Sequence, residues 1–442
     1  MRRSLGESLR TAIQEGRLLA GTVLPSSRRL AADLGVSRGV VTDAYDQLAS
    51  EGYLKVTARS APMVAAVHAT QPPAVEPAAP SWRFDLTAIT PDVRLFPRRA
   101  WSRAVGQALR EAPDAALDYG DHRGRIELRA ALSVYLARVR GVRVDPGRIV
   151  VTQGFTQALG LLCRVLVGRG ATGVVMETPT HPDLCTAVRQ SGLAVTGCPV
   201  DADGLRTSEL ATLRADAVVV APAHQFPTGA VMAADRRLAL LDWATSHGSL
   251  VIEDDYDAEF RYDRTPVGAV QGLDPRRVAH VGSASKTLAP GIRLGWVSLP
   301  ADLVDPVRTL KGLTDSGSPA IDQLAFAKFL TSGAYDRHVV QARHTYRRRR
   351  DRLVHALTTR LPWLPIQGAA AGMHLLLPLP EEADDIALAA AAASHGIGVQ
   401  PLSPLHLTPS PQRGLMLGYG RLPETRVDEA ADALAALLAG YR

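Results

Sequence analysis

The sequence predicts an α/β protein with a small helix-turn-helix domain at the N-terminus and a larger domain built on a mostly parallel sheet. Two helical patterns separated by a glycine lie within residues 1–64. An Ala/Pro-rich stretch follows at 65–83, and its composition is typical of a linker. From 84 to 300, short β-branched runs alternate with Leu/Ala-rich helical patterns, which indicates βαβ units. Residues 301–442 are helix-rich with two late strand-like runs, which predicts a smaller α+β domain.

The composition is that of a water-soluble cytoplasmic protein. Of 442 residues, 46% are apolar and 21% are charged, and no long apolar run predicts a membrane helix. The start, MRRSLGESLR, lacks the apolar segment of an export signal. Cys163, Cys185 and Cys198 lack metal-ligand spacing. We therefore expect reduced thiols and no metal site.

Positive charge is concentrated near the N-terminus. The formal net charge is +6, and residues 1–64 hold nine Lys/Arg against six Asp/Glu. Half of the excess thus lies in a seventh of the chain, which favours an acidic partner for this part. The basic run RHTYRRRRDR (343–352) has apolar flanks and is interpreted as the solvated or domain-bridging face of a long helix.

The first 64 residues have the pattern of a helix-turn-helix. Apolar residues recur at helical spacing in SLGESLRTAIQEGRL (4–18). Ser26 or Ser27 can cap a short second helix that ends near Gly35, where glycine suits a left-handed turn. Ser37 can cap a third helix. Its predicted inward side chains are Val40, Val41, Ala44, Tyr45 and Leu48.

The third helix is the predicted reader of double-stranded DNA, because the second helix of such a motif enters the major groove. Arg38 can bind a guanine edge or a phosphate, and nearby hydroxyls suit phosphate oxygens. The predicted DNA-binding residues are Ser27, Arg28, Ser37, Arg38, Gly39 and Thr42.

The segment LPSSRRLAADLGVSRGVVTDAYDQLASEGYL (24–54) closely resembles the winged-helix domain of GntR-type bacterial transcription regulators. The resemblance covers residues 4 to 64. It departs from the family in the wing, where KVTARSAPMV (55–64) replaces the usual glycine-rich tip. Arg59 and the rest of the wing are therefore left out of the predicted contacts.

Lys286 is one of four lysines in a chain with 46 arginines. A surface lysine is the simpler alternative, but its neighbours favour chemistry. The residue follows the strand-like run RVAHVG, at the end where parallel sheets place ligands. Ser283, Ser285 and Arg293 are groups that could hold a phosphate close by. A lysine amine can form a Schiff base with an aldehyde, which a guanidinium cannot.

Two other strand ends carry complementary groups. Asp254 and Tyr256 end the strand in VIEDDYDAEF; the acid can keep a pyridine nitrogen protonated and the phenol can bind the ring's 3-oxygen. In TQGFTQAL (152–159), a strand turns into a helix at Gly154, and the amides of Gly154, Phe155 and Thr156 suit an anion. Together with Lys286, these groups match the needs of pyridoxal 5'-phosphate.

From residue 84 to 442 the chain resembles fold-type I, aspartate-aminotransferase-like pyridoxal phosphate enzymes. The motifs are SASKTLAPGIRLGW (283–296), EDDYDAEF (253–260) and APAHQFPTG (221–229), in which Phe226 replaces the Asn that touches the cofactor oxygen. The resemblance implies that Tyr119 reaches the neighbouring subunit's phosphate. It also implies that Arg413 binds a substrate carboxylate and that His181 stacks on the cofactor ring.

The order of winged helix, Pro/Ala linker and aminotransferase-like domain resembles the MocR/GabR family of transcription regulators across the whole chain. This implies a head-to-tail, domain-swapped homodimer and a Lys286 aldimine that senses an amine, an amino acid or a vitamin B6 compound. A sensor of free pyridoxal phosphate is one alternative. A working aminotransferase with a DNA-binding appendage is another, although Phe226 favours at most weak transaminase activity.

The segment ETPTHPDL (177–184) bears on the effector. Asp183 lies two residues after His181 and would repel a carboxylate, which favours an effector with a cationic or neutral tail. His181 can also titrate near neutral pH. The alternative is that both residues form the lip of a pocket that admits only cofactor.

Overall fold

The computed structural model of the protein describes residues 2–57, 60–66, 82–87, 90–262 and 267–441. The chain forms two compact units, Met1–Pro80 and Ser81–Arg442. Most of the predicted linker, 65–83, lies outside the described residues. No helix in the described ranges is long and apolar enough to span a bilayer.

The first unit contains three helices and a short antiparallel hairpin. Its elements are α1 (Arg2–Gln14), α2 (Ser27–Leu34), α3 (Arg38–Ser50), β1 (Leu54–Lys55) and β2 (Met63–Val64). The hydroxyl of Ser26 accepts a hydrogen bond from the amide of Arg29 at 3.3 Å, so Ser26 rather than Ser27 caps α2. Gly35 ends this helix with φ of 65°, a conformation that costs glycine no steric strain. Ser37 precedes α3 but makes no side-chain capping bond.

The inward face of α3 is nearly as predicted. Its buried side chains are Val41, Ala44, Tyr45 and Leu48, whereas Val40 is half-buried. Tyr45 also donates its hydroxyl hydrogen to the carbonyl of Pro25 at 2.9 Å, which ties α3 to the segment before α2. The predicted helix-turn-helix is confirmed.

The second unit alternates helices and strands. Its helices are α4 (Arg98–Glu111), α5 (Ile126–Arg140), α6 (Phe155–Gly168), α7 (Pro182–Gln190), α8 (Thr207–Leu210), α9 (Ala234–His247), α10 (Ala301–Asp315), α11 (Ala320–Thr331), α12 (Ala334–Arg360), α13 (Asp385–Ser394) and α14 (Val427–Leu438). Its strands are β3 (Phe84–Asp85), β4 (Ile149–Thr152), β5 (Gly173–Thr178), β6 (Ala194–Asp201), β7 (Gly204–Leu205), β8 (Ala217–Val220), β9 (Leu250–Asp255), β10 (Val278–Ser283), β11 (Gly295–Ser298), β12 (His374–Leu379), β13 (Ile397–Gly398), β14 (Gln400–Pro401) and β15 (Arg413–Gly418).

The main sheet has the strand order β4-β11-β10-β9-β8-β5-β6-β7. Strands β5, β6, β8, β9 and β10 run parallel, whereas β11 is antiparallel to both of its neighbours and β7 is antiparallel to β6. Helices cover both faces: on β4, Val150 packs in one apolar core while Ile149 and Val151 pack in another. A continuous apolar run in a strand is expected where both faces are buried. The predicted mostly parallel sheet is confirmed.

The C-terminal part forms a smaller layer with the antiparallel sheet β12-β15-β14. Its core includes Phe84 and Leu86, because β3 pairs with β13. The sequence-based boundary had assigned these residues to the larger domain, but their apolar side chains are buried in the smaller one. The basic run 343–352 lies in α12, where Arg349 is buried and pairs with Asp92 at 2.9 Å.

Candidate functional site

A cavity of about 640 Å³ opens at the carboxyl ends of the parallel strands. Its lining combines one lysine, three carboxyl groups, one arginine and three aromatic or imidazole rings beside the phenol of Tyr256. The lining residues are Phe155, Thr156, Glu177, Thr180, His181, Asp183, Leu184, Val219, Val220, Ala221, Phe226, Asp254, Tyr256, Lys286, Pro290 and Arg293. The fold thus brings together residues from five separate sequence segments.

Lys286 lies in the turn after β10 and is half-buried. Burial lowers the pKa of its amine, while the carboxylates of Asp257 and Asp254 act in the opposite direction. An amine whose pKa is lowered is unprotonated more often near neutral pH and is then a nucleophile.

Asp254 is the penultimate residue of β9 and lines the cavity. Burial raises the pKa of its carboxyl well above the usual range, and the charges of Asp255 and Asp257 add to this effect. Since an ionised buried carboxylate needs a partner, this position favours a ligand that brings a proton or a positive charge.

Asp255, the alternative acid, is directed elsewhere. Its carboxylate accepts hydrogen bonds from Arg140 at 2.7 Å and from His280 at 2.8 Å. Although burial acts against it, the Arg140 guanidinium holds the pKa of Asp255 well below its usual range. Successive side chains of a strand point to opposite faces of the sheet. Asp254 therefore faces the cavity, and Asp255 faces a buried ion-pair cluster.

A second group of lining residues suits an anion. Helix α6 begins at Phe155, after Gly154, so its first amides are free of intrahelical partners. Arg293 adds a positive charge at this end; its guanidinium donates a hydrogen bond to the carbonyl of Gln153. Gly154 has φ of 107°, and a side chain added there would crowd that guanidinium. Free amides and an arginine together form an anion-binding arrangement.

Rings form one wall. The ring of His181 lies 6.0 Å from that of Phe226, tilted by 32°. His181 also caps α7, since its Nδ1 accepts a hydrogen bond from the amide of Asp183 at 3.3 Å. The Asp183 side chain is 87% exposed, so its charge lies at the mouth and stays largely hydrated.

Five residues of the predicted set do not line the cavity. Ser283 and Ser285 bond to each other through their hydroxyls at 2.9 Å. Gly154 only precedes the α6 amides. Tyr119 is 88% exposed and lies in a separate concavity beside Asp315 and Gln323. The Arg413 guanidinium donates to the carbonyl of Ser410 at 2.6 Å.

Glu177 is a cavity residue that the sequence interpretation missed. Burial raises the pKa of its carboxyl to about 8. One oxygen accepts from the amide of Ala221 at 3.0 Å, and the other is buried without a hydrogen-bond partner in the described ranges. The sequence does contain a signal for this residue, because Glu177 is a carboxyl residue at the end of the largely apolar run TGVVME.

The predicted DNA-binding residues form one surface of the first unit. Ser37, Arg38, Gly39 and Arg28 are exposed, and the Arg38 side chain lies beside the Ser27 hydroxyl at 3.4 Å. Thr42 differs, because its hydroxyl donates to the carbonyl of Arg38 at 3.0 Å and is only partly exposed. Arg59, which lies between β1 and β2 in the sequence, is outside the described residues.

Comparison with known proteins gives both parts a counterpart. Residues 2–64 match the model of bacterial regulatory proteins of the gntR family, and residues 94–434 match the model of aminotransferase class I and II. The "Probable rhizopine catabolism regulatory protein MocR" of Rhizobium meliloti is 32% identical, covering 98% of this chain and 93% of its own.

The "HTH-type pyridoxine biosynthesis transcriptional regulator PdxR" of Corynebacterium glutamicum is 33% identical, with 94% of this chain and 91% of its own covered. Among solved structures, an archaeal alanine:glyoxylate aminotransferase superposes with a TM-score of 0.75 at 29% identity, covering 81% of this chain and 91% of its own. The likeness to regulators thus spans the whole chain, and the likeness to that enzyme spans the second unit.

Proposed function

The chain belongs to the MocR-type family of HTH transcriptional regulators, which join a GntR domain to an aminotransferase-like domain, and from this we propose that it regulates transcription in response to an amine. The GntR domain binds operator DNA. The cavity binds pyridoxal 5'-phosphate and, with it, the effector.

The observation that carries this proposal is the arrangement of cavity groups. Lys286, Asp254 and Tyr256 line the same cavity as Arg293 and the start of α6. This donor set fits pyridoxal phosphate, because each polar part of that molecule meets a complementary group. When bound, the cofactor supplies an aldehyde carbon that reacts with primary amines.

Each side chain then has a definite task. Asp254 would hold a proton on the pyridine nitrogen, and Tyr256 would donate a hydrogen bond to the 3-oxygen. Arg293 and the amides of Phe155 and Thr156 would bind the phosphate. Ser283 and Ser285, at the end of β10, would support it once their hydroxyls part from each other. His181 packs on the ring. Lys286 would supply the primary amine that reacts with that aldehyde, and the amine of an effector would compete with it for the same carbon.

The protein would have one state in which Lys286 is joined to the cofactor and another in which it is not. An effector that binds one state better would shift the population towards that state. Asp183 at the cavity mouth favours a cationic or neutral tail. Arg413 would bind a carboxylate after leaving the carbonyl of Ser410. The exposed Tyr119 would complete the partner's phosphate site in a head-to-tail homodimer.

A sensor of pyridoxal phosphate itself is the second candidate. It is favoured by the 33% identity to a regulator named for pyridoxine biosynthesis. In that case DNA binding would follow cofactor concentration with no added amine. A working aminotransferase would instead release keto acid over many turnovers, and Phe226 in place of an amide disfavours that activity.

The decisive experiment is reduction with borohydride in the presence of pyridoxal phosphate, followed by peptide mapping. We expect the label on Lys286 and its loss in Lys286→Ala. Lys328→Ala is the matched control, since Lys328 pairs with Glu111 and lies outside the cavity. Labelling that persists at another lysine in Lys286→Ala would refute the assignment.

A further inference from the structure

Two buried polar residues, His224 and Asp257, lie behind the cavity wall next to Tyr256. His224 belongs to the loop after β8, and Asp257 follows Tyr256 beyond the end of β9. Their exposed fractions are 2% and 1%. Tyr256 lines the cavity, whereas neither of these two residues does.

The three side chains meet at one nitrogen. Tyr256 Oη lies 3.0 Å from His224 Nδ1, and the same nitrogen lies 3.0 Å and 3.2 Å from the two carboxylate oxygens of Asp257. Because a carboxylate only accepts, Nδ1 carries a hydrogen and donates it. His224 Nε2 is buried and has no hydrogen-bond partner within the described ranges. The polar contacts of this imidazole are therefore made at Nδ1.

A glycine leaves room for the side chains of His224 and Asp257. Gly372 has φ of +78°, and a side chain there would overlap the imidazole of His224 and come within 2.9 Å of an Asp257 oxygen. The carbonyl of Gly372 accepts hydrogen bonds from the hydroxyls of Tyr262 and Tyr419, each at 2.6 Å. The segment before β12 thus fixes the pair from the side away from the cavity.

The surroundings keep the phenol protonated. Burial raises the pKa of Tyr256 well above its usual value, and the carboxyl groups of Asp257, Asp254 and Glu177 add to this. On the far side of His224, the His374 ring lies 5.2 Å away, and burial lowers its pKa to about 3. Tyr256 is therefore protonated, and Asp257 is a hydrogen-bond partner of its hydroxyl beside His224.

We propose that His224 and Asp257 are positioning residues that hold the Tyr256 hydroxyl at the cavity wall, where it donates to an anionic oxygen of the bound ligand. The inference rests on the proposed function, in which that oxygen is the 3-oxygen of pyridoxal phosphate. Asp257 orients the imidazole by accepting from Nδ1–H, and the phenol oxygen lies beside the same N–H as a second acceptor. In this proposal the phenol hydrogen, which interacts with the Asp257 carboxylate, turns to the ligand oxygen when the ligand binds.

The test is a double-mutant cycle between positions 224 and 256 in the full-length protein. Two quantities are measured: the Kd of pyridoxal phosphate by fluorescence, and the pH midpoint of the bound cofactor's absorption change. His224→Leu should raise the Kd about tenfold and move the midpoint in the same direction as Tyr256→Phe. In the double variant the second substitution should add less than about twofold, since both remove the same hydrogen bond.

Two further variants separate hydrogen bonding from packing. His224→Asn keeps a donor near the position of Nδ1 and should restore the midpoint. His374→Leu removes the neighbouring ring and its hydrogen bond to the Pro227 carbonyl but leaves His224 Nδ1 in place, so it should leave the midpoint unchanged. Asp257→Asn provides a second route if His224→Leu loses its circular dichroism spectrum. Additive effects in the cycle, or an equal shift in His374→Leu, would overturn the positioning role. Absence of label on wild-type Lys286 would instead refute the proposed function.

Discussion

Charged side chains are exposed to water on the outer face of α3, whereas several of those in the cavity above the main sheet are largely shielded from it. Arg38 and Arg28 are exposed, and their charges stay hydrated. In the cavity, Asp254 and Lys286 are withdrawn from water, and burial shifts the pKa of each towards its neutral form. An exposed side chain stays charged and can bind any phosphate. A buried group stays charged only when a partner compensates the hydration that it has lost.

This difference predicts unequal sensitivity to substitution. A side chain on the DNA-binding face makes one of several contacts with a long polyanion. Its loss therefore removes only a part of the binding free energy. A cavity group meets one atom of one ligand, so its loss removes an interaction that nothing else replaces.

The largest effect is expected for Asp254→Asn, because an amide cannot hold the proton on a pyridine nitrogen as a carboxylate does. Loss of a charge-assisted hydrogen bond of about 1.5–3 kcal/mol should weaken cofactor binding by about 10- to 100-fold. Fluorescence titration with pyridoxal phosphate measures it, with the exposed Asp242→Asn on α9 as control. Unchanged affinity would contradict the assignment, since Asp255 is already held by Arg140 and His280.

Arg38→Ala should have the next largest effect. Loss of a base contact costs about 1–3 kcal/mol and relaxes preference at one base pair, whereas loss of a phosphate contact weakens all sequences equally. Gel-shift titration with the operator and with single-base variants distinguishes the two. Arg17→Ala is the control, because Arg17 is an exposed arginine paired with Glu15. Wild-type affinity in Arg38→Ala would remove Arg38 from the interface.

An effect of a different kind, on stability alone, is expected for Glu177→Gln without cofactor. The pKa of Glu177 is about 8 in the folded protein against 4.5 ordinarily, so the folded state keeps a proton that the unfolded state loses. The free energy of unfolding should therefore fall as pH rises from about 4.5 to about 8, and glutamine should remove that fall.

Thermal melting at pH 5 and pH 8 measures this dependence. Glu177→Gln should be more stable than wild type at pH 8 and should change less between the two pH values. Glu209→Gln, at a partly exposed glutamate outside the cavity, should behave like wild type. An equal pH dependence in Glu177→Gln and wild type would show that Glu177 is ionised in the folded protein.

The smallest effect is expected at the cavity mouth. Asp183 is exposed, so its charge should change effector affinity by about fivefold or less, and less at high salt. Absorbance titrations should show that Asp183→Asn weakens the response to putrescine and strengthens that to glutamate, while the distant exposed Asp203→Asn changes neither. A wild-type protein that responds to glutamate but to no cationic amine would contradict the charge argument.

Local patterns were enough for the elements that carry these sites. The runs RIVVTQG, TGVVME, DAVVVAPA, SLVIEDD and RVAHVGSASK all contain strands of the main sheet, because apolar β-branched residues fit strands buried on both faces. The short antiparallel β11 was not distinguished, since nothing in GWVS encodes direction. The packing of Phe84 with the C-terminal core was also missed, because that contact joins residues more than three hundred positions apart.

The sequence by itself determined which reactive groups are present and in which elements they lie. It places one lysine after a strand, an acid and a phenol at the end of another strand, and an exposed arginine in a pair of helices. Each of these depends on neighbours within a few residues. Only the tertiary structure decided which of them share a cavity. It turned Asp254 inward and Asp255 away, and it brought Glu177 beside them. It also placed His224 and Asp257 behind Tyr256. The physical reason is that burial and the pKa shifts that follow from it are set by the packing of distant segments, which no local pattern contains.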